Sequence, residues 1–184
     1  KHFNQYSKEQ RDRVKFVTID MWEPYRDVAL HQFKHCKVAV DPFHVVKNLS
    51  FAFTKIRISI MNQCIYNSDA YYLLKRWHIL LDKKEIELDD EPTYNQHFHR
   101  KLTKRQLCEM IFSLSDKLLD AFNLKTAYQF FNDTATIDNA GPWLDHLIHR
   151  FQVSGILEYE EFTRLLIHWR EEIINSFERP HNDS

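Results

Sequence analysis

The sequence predicts an α/β chain that is predominantly helical, with one strand–helix–strand unit near its start and a large all-helical region after it. Three observations carry this expectation. The apolar runs Val14-Lys15-Phe16-Val17-Thr18-Ile19 and Val38-Ala39-Val40 each run into an aspartate, Asp20 and Asp41, with a short helical stretch between them. Only 2 glycines and 5 prolines occur in 184 residues, whereas sheets with many tight turns need glycine at positive φ. From His44 onward, apolar residues recur every three or four positions, the period of an amphipathic helix.

Taken in order, residues 1–13 are polar and charged and read as the tail of a helix or a linker. Val14–Ile19 is a strand. Pro24 suits a first helical turn, where its missing N–H is not needed, and Val28, Ala29 and Phe33 give the helix from Pro24 to Phe33 an inward face. Lys37–Val40 is the second strand, parallel to the first because a helical crossover joins them. Val46, Leu49, Phe53, Ile56 and Ile60 then mark a helix to about Asn62, and Tyr71–Leu81 marks another. Asp82 to Pro92, an acidic run ending at proline, reads as an exposed loop. Thr103-Lys104-Arg105-Gln106 has the form of a capping box ahead of a long helix through Leu107, Ile111, Leu118 and Phe122, persisting towards Phe131. Asn132 to Gly141 reads as a loop, Pro142 as the opening of a helix to Phe151, and Ser154-Gly155 as a break. A last helix places Leu157, Phe162, Leu165, Leu166, Trp169, Ile173 and Phe177 on one face. These stripes are core positions of antiparallel helical neighbours.

Composition narrows the class. No apolar stretch approaches the roughly 20 residues of a membrane span, and the start, Lys1-His2-Phe3-Asn4, lacks a signal-peptide pattern, so a soluble intracellular protein is expected. Cys36, Cys64 and Cys108 are odd in number and far apart, which speaks against a disulfide framework or a zinc knuckle. The abrupt ends, Lys1 and Ser184, read as those of a piece of a longer protein. The net charge of −1 conceals a gradient: residues 1–57 carry 11 Lys/Arg against 6 Asp/Glu, residues 129–184 carry 4 against 10. Positive charge therefore gathers beside the strand-end acids, where a nucleic-acid partner would use it to displace counterions.

Carboxyl ends of parallel strands are where ligands collect in open α/β sheets, and paired hard oxygens there suit magnesium or manganese. Asp20 reads either as a metal ligand or as the cap of the following helix. Asp41 reads as a turn cap, as the acceptor that orients His44, or as an outer carboxylate around a metal. His44 is a poor magnesium ligand but can contact a phosphate. Lys47, Asn48, Lys55 and Arg57 follow on one helix and are candidate phosphate contacts. The pairs His31/His35 and His146/His149 lack a third ligand. Glu171 and Glu172 are expected to face solvent, because Trp169 and Ile173 claim the core side.

The strings Val17-Thr18-Ile19-Asp20-Met21-Trp22-Glu23-Pro24-Tyr25 and Val38-Ala39-Val40-Asp41-Pro42-Phe43-His44-Val45-Val46-Lys47-Asn48-Leu49 resemble the transposases of the bacterial ISL-three insertion-sequence family. Arg57 stands where that family has an arginine downstream, and the Leu73-Leu74-Lys75-Arg76-Trp77 segment is similar to its helical region. The resemblance implies an RNase H-like core with an Asp, Asp, Glu triad that binds two divalent metals, Mg2+ or Mn2+. Asp20 matches the second Asp and is the metal ligand; Asp41 and His44 match a D-x-x-H signature and complete the catalytic candidates. It implies residues 1–57 as a partial catalytic core and 58–184 as a helical insertion region, with the first Asp expected before Lys1 and the Glu after Ser184. The implied activity is metal-dependent DNA cleavage and strand transfer in the bacterial cytoplasm, on transposon ends and target DNA, by a self-associating parent protein. A non-catalytic remnant or helical DNA- or protein-binding module is the alternative. A small metal phosphohydrolase fits the strand-end acids but not the helical remainder.

Overall fold

The computed structural model describes residues 2–82 and 88–178. The chain divides into two compact units, residues 1–51 with 126–184, and residues 52–125. Helix dominates both.

In the first unit a short helix α1 (Lys8–Asp12) precedes strand β1 (Phe16–Ile19), helix α2 (Glu23–Gln32), strand β2 (Lys37–Val40) and helix α3 (Pro42–Gln63), whose first part belongs here. The two strands are parallel, with Phe16 opposite Lys37 and Ile19 opposite Val40. Val38, Ala39 and Val40 are all buried, the signature of a strand covered on both faces. On β1 only Ile19 is buried. The chain returns after residue 126 through α6 (Asp116–Thr134), α7 (Ile137–Val153), α8 (Glu160–His168) and α9 (Arg170–Asn175). Helix α9 packs on β2: the Asn175 side-chain amide donates to the Val38 carbonyl at 2.8 Å, and Lys37 pairs with Glu178. Tyr128, Phe131, Phe151, Tyr159, Phe162 and Leu166 fill the helical core.

In the second unit α3 continues to Gln63 and leads into α4 (Asp69–Arg76), a 3-10 segment His78–Asp82, strands β3 (Thr93–Asn95) and β4 (Arg100–Leu102), helix α5 (Lys104–Phe112) and the first part of α6. Leu73, Leu74, Leu81, Leu107, Ile111 and Leu118 are buried. The capping box stands as the sequence indicates, with the Gln106 amide on Thr103 Oγ1 and the Thr103 amide on Gln106 Oε1, both 3.0 Å.

Several boundaries differ from the sequence expectation. The helical region contains an antiparallel hairpin, β3–β4. Asn95 Oδ1 accepts the amides of His97 and Phe98 at 3.0 and 3.2 Å, and His99 takes the left-handed position at φ 49°. A side-chain turn thus does the work usually left to glycine. The helix after Thr103 breaks at Ser113–Ser115, where Ser115 Oγ accepts the Leu118 amide and restarts it as α6. The loop expected over Asn132–Gly141 shrinks to residues 135 and 136, and Pro142 lies inside α7. Its missing N–H orphans only the carbonyl of Asp138, an exposed first-turn residue. The single last helix is interrupted at Trp169, and Leu157 is exposed outside it. The acidic loop is coil over residues 88–92, whereas residues 83–87 lie outside the described residues.

Candidate active site at the strand ends

Asp20 and Asp41 follow the last residues of β1 and β2 and lie at the same end of the sheet, because the Asp41 amide donates to the Ile19 carbonyl at 3.0 Å and extends the ladder by one step. Their side chains do different things. Asp41 Oδ1 accepts the Phe43 amide at 3.0 Å and its carbonyl accepts the His44 amide, so it caps α3 directly ahead of Pro42. The Asp20 carboxylate is 57% exposed, and its Oδ1 lies 3.0 Å from His44 Nε2. Of the readings open for Asp41, the cap is the one with a bond, and His44 finds its carboxylate partner in Asp20.

The rim of this site is aromatic. Trp22, Tyr25 and Phe43 are all exposed. Trp22 and Tyr25 meet edge to face at 4.6 Å, and Phe43 does the same with the His44 ring at 5.5 Å. All three stand in the strings that carry the family resemblance, but sequence reasoning assigned them no role of their own; the available signal was large aromatic residues beside two polar strand ends. Among the described residues no group of three or more His, Cys, Asp or Glu is arranged to hold a metal ion. Asp20 is a hard, exposed oxygen donor of the kind magnesium prefers, and its partner there is the His44 ring.

On α3, Lys47 and Asn48 are exposed one turn beyond His44, and the Asn48 side chain donates to the His44 carbonyl at 2.9 Å. In the second unit the same helix presents exposed Lys55, while Arg57 is half-buried and donates to the Leu74 carbonyl at 2.8 Å. Burial holds the Arg57 guanidinium below its ordinary pKa, against the opposing field of Asp82. Glu171 is exposed as expected, but Glu172 is not: its side chain is only 14% exposed and lies 3.5 Å from Arg26. The packing of α9 on β2 carries Glu172 to that cation, which also stacks over Trp169 at 5.1 Å.

The family model of the ISL-three DDE transposases, described as Transposase, matches residues 1–183. The chain belongs to that family. No curated protein and no solved structure matches it. Membership ties this transposase chain to DNA transposition and makes DNA its substrate class. No helix among the described residues of the transposase chain is long and apolar enough to cross a membrane.

Proposed function

We propose that the strand-end site is part of the DNA-cleaving and strand-transferring centre of a transposase with an RNase H-like core, and that Asp20 is its second Asp. The observation that carries this reading is the convergence of an exposed Asp20 carboxylate and the His44 ring at the ends of two parallel strands. Asp20 is the residue that would hold Mg2+ or Mn2+. Held there, a pair of such ions would supply activation of the attacking oxygen and stabilisation of the leaving one in an in-line phosphoryl displacement. His44 orients the Asp20 carboxylate through Nε2, and Asp41 holds His44 in place by capping the helix that carries it. Two further carboxylates complete such a centre, supplied by segments other than those that surround Asp20 here.

Lys47 and Asn48 would meet DNA phosphates beside the acid, and Lys55, in the second unit, is a separate candidate for such a contact. Arg57 is the weakest candidate of the four, since one of its N–H groups is already committed to Leu74. The exposed Trp22, Tyr25 and Phe43 rings suit contact with bases. The outer side of β1 supports an RNase H-like core: β1 pairs only with β2 among the described residues, and an apolar groove of about 420 Å³ lined by Val17, Ile19, Val28 and Phe33 lies open beside it. Such a surface fits a further strand of a larger sheet. Residues 1–57 then supply part of the core and residues 58–184 the helical insertion, in a parent that self-associates.

The test is magnesium-dependent cleavage of a transposon-end duplex by the full-length parent, its variants and the 184-residue chain. Asp20→Asn, which removes charge and little else, is expected to lower the cleavage rate by at least about a hundredfold while DNA binding persists. His44→Ala should cost roughly ten- to a hundredfold, the scale for a residue that orients a metal ligand. Asp41→Asn should cost less than either, and the 184-residue chain alone should be inactive. Wild-type cleavage by Asp20→Asn, or robust cleavage by the chain alone, would overturn the assignment.

A further inference from the structure

We propose that the second unit carries a separate binding groove for a single strand of DNA, formed by α4 and the β3–β4 hairpin. It rests on the reading that this chain handles DNA, and it assigns that task to residues far in sequence from Asp20. The groove measures about 360 Å³ and is lined by Asn67, Tyr71, Tyr72, Lys75, Arg76 and His97.

Charge and aromatic surface coincide there. Segments 65–76 and 93–102 hold Lys75, Arg76, Arg100 and Lys101 against one acid, Asp69, and Asp69 is already engaged by His97 Nε2 at 2.8 Å. Of the acids just before the hairpin, Asp89 and Asp90 are taken up by Lys104 and Arg105, while Glu91 is exposed. Lys75 and Arg76 are exposed, with the Lys75 ammonium 5.2 Å above the Tyr71 ring. Around them lie rings. Tyr72 and His97 stack in parallel at 3.9 Å, forming a fixed wall. Beside the groove, outside its lining, Tyr66 is 70% exposed and leans on Tyr71 at 5.2 Å, next to the left-handed turn at Asn67, φ 62°.

Cations that track phosphates next to exposed rings that accept bases are the combination that holds single strands. A duplex offers phosphates to Lys75 and Arg76 but keeps its base faces stacked away from Tyr66. The pairing of the two features therefore favours an unpaired strand, such as one exposed when a DNA end is opened.

The experiment is fluorescence anisotropy of the 184-residue chain with labelled dT20 and with a 20-base-pair duplex, between 50 and 300 mM NaCl, with circular dichroism to check that each variant folds. We expect dT20 to bind tighter than the duplex. Lys75→Ala with Arg76→Ala should weaken dT20 binding about tenfold at 100 mM salt and flatten the log–log salt slope by about 1.4, at roughly 0.7 per single-strand phosphate contact. Tyr66→Ala should weaken it about fivefold or more, and Tyr66→Phe should restore it, since the ring and not the hydroxyl stacks. Lys34→Ala with Arg164→Ala removes equal charge elsewhere and should change binding less than twofold. If dT20 binds but the groove variants behave like that control, the groove is not the site and the transposase reading stands. Absence of binding to either DNA overturns the groove, whereas the Asp20 cleavage assay decides the strand-end site independently. Tighter duplex binding with Tyr66→Ala silent overturns the single-strand assignment.

Discussion

Lys125 is the most exacting test of the second unit's core, because its side chain is only 2% exposed and yet carries a charge. Its ammonium donates to the Leu81 carbonyl at 2.9 Å and to Asp82 Oδ1 at 3.1 Å, with the rings of Phe53 and Phe122 at 5.0 and 5.9 Å. A charged hydrogen bond to the carbonyl contributes about 1.5–3 kcal/mol. Asp82 is 67% exposed, so that ion pair adds at most about 1 kcal/mol, and the rings add about 0.5–2 kcal/mol. Against this stands the cost of desolvating the ammonium, several kcal/mol. Lys125→Met keeps the stem, removes that cost and leaves the Leu81 carbonyl without its donor, so a net loss of about 1–2 kcal/mol is expected. Lys125→Ala also removes three methylenes at about 0.8 kcal/mol each, for a total of about 3–5 kcal/mol. Asp82→Asn should stay within about 1 kcal/mol. Urea unfolding of the 184-residue chain, with amide exchange along α6 to localise the effect, measures all three. A Lys125→Met variant more stable than wild type would show that desolvation outweighs the bonds, and equal losses for Met and Ala would show that the stem contributes nothing to packing.

Two further expectations follow from titrating groups. Arg170 grips Asp145 with two N–H groups at 2.7 and 2.8 Å, and these bonds hold the Asp145 carboxyl below its usual pKa. A depressed carboxylate contributes stability above its unfolded pKa and loses it as pH falls through the folded one. Asp145→Asn should therefore cost up to about 1 kcal/mol at pH 7, the scale of a solvent-screened pair. By urea unfolding that gap should close in strong acid; a gap unchanged there would show that the ion pair is not its source. Burial pushes the Cys108 thiol up to about 11, so at pH 8 it should resist a thiol reagent until the chain unfolds. Rapid native-state labelling that disappears in Cys108→Ser would contradict that burial.

The strand ends were legible because β1 and β2 are short apolar runs closed by acids, and the acids terminate the runs whatever surrounds them. The parallel register followed from the helix between them. The pairing of His44 with Asp20 was not legible, since the sequence left Asp41 open as the histidine's partner and only the turn of α3 selects Asp20. The β3–β4 hairpin escaped because the glycine rule looks for a residue type, while here Asn95 Oδ1 and a left-handed His99 make the turn. Lys125 escaped for a related reason: a periodic stripe assigns charges to solvent, and nothing local announces that the Leu81 carbonyl waits for a donor. The docking of α9 on β2 joins Asn175 to Val38 across 137 residues, a separation that helical periodicity does not encode.

That docking bears on how DNA reaches the strand-end site. Val38, Ala39 and Val40 of β2 are buried, and its carbonyl at Val38 is occupied by Asn175. β1 is open by contrast, with Thr18 and Asp20 exposed and the groove lined by Val17, Val28 and Phe33 along its outer side. That groove reaches Asp20 and Tyr25 at one end, and the rest of its lining is mostly apolar and suits a seat for more protein, because burying such side chains yields roughly 25 cal/mol per Å² of apolar area. On the proposed assignment DNA comes to Asp20 along the strand ends, over exposed Trp22 and Phe43 and towards Lys47. The proposal thus gives the long edge of β1 to extension of the sheet and its end, where the groove reaches Asp20, to the substrate. Charge reversal at Lys47 should consequently weaken DNA binding by the full-length parent, whereas Val28→Asp should disturb assembly of the core and leave the strand-end phosphate contacts in place.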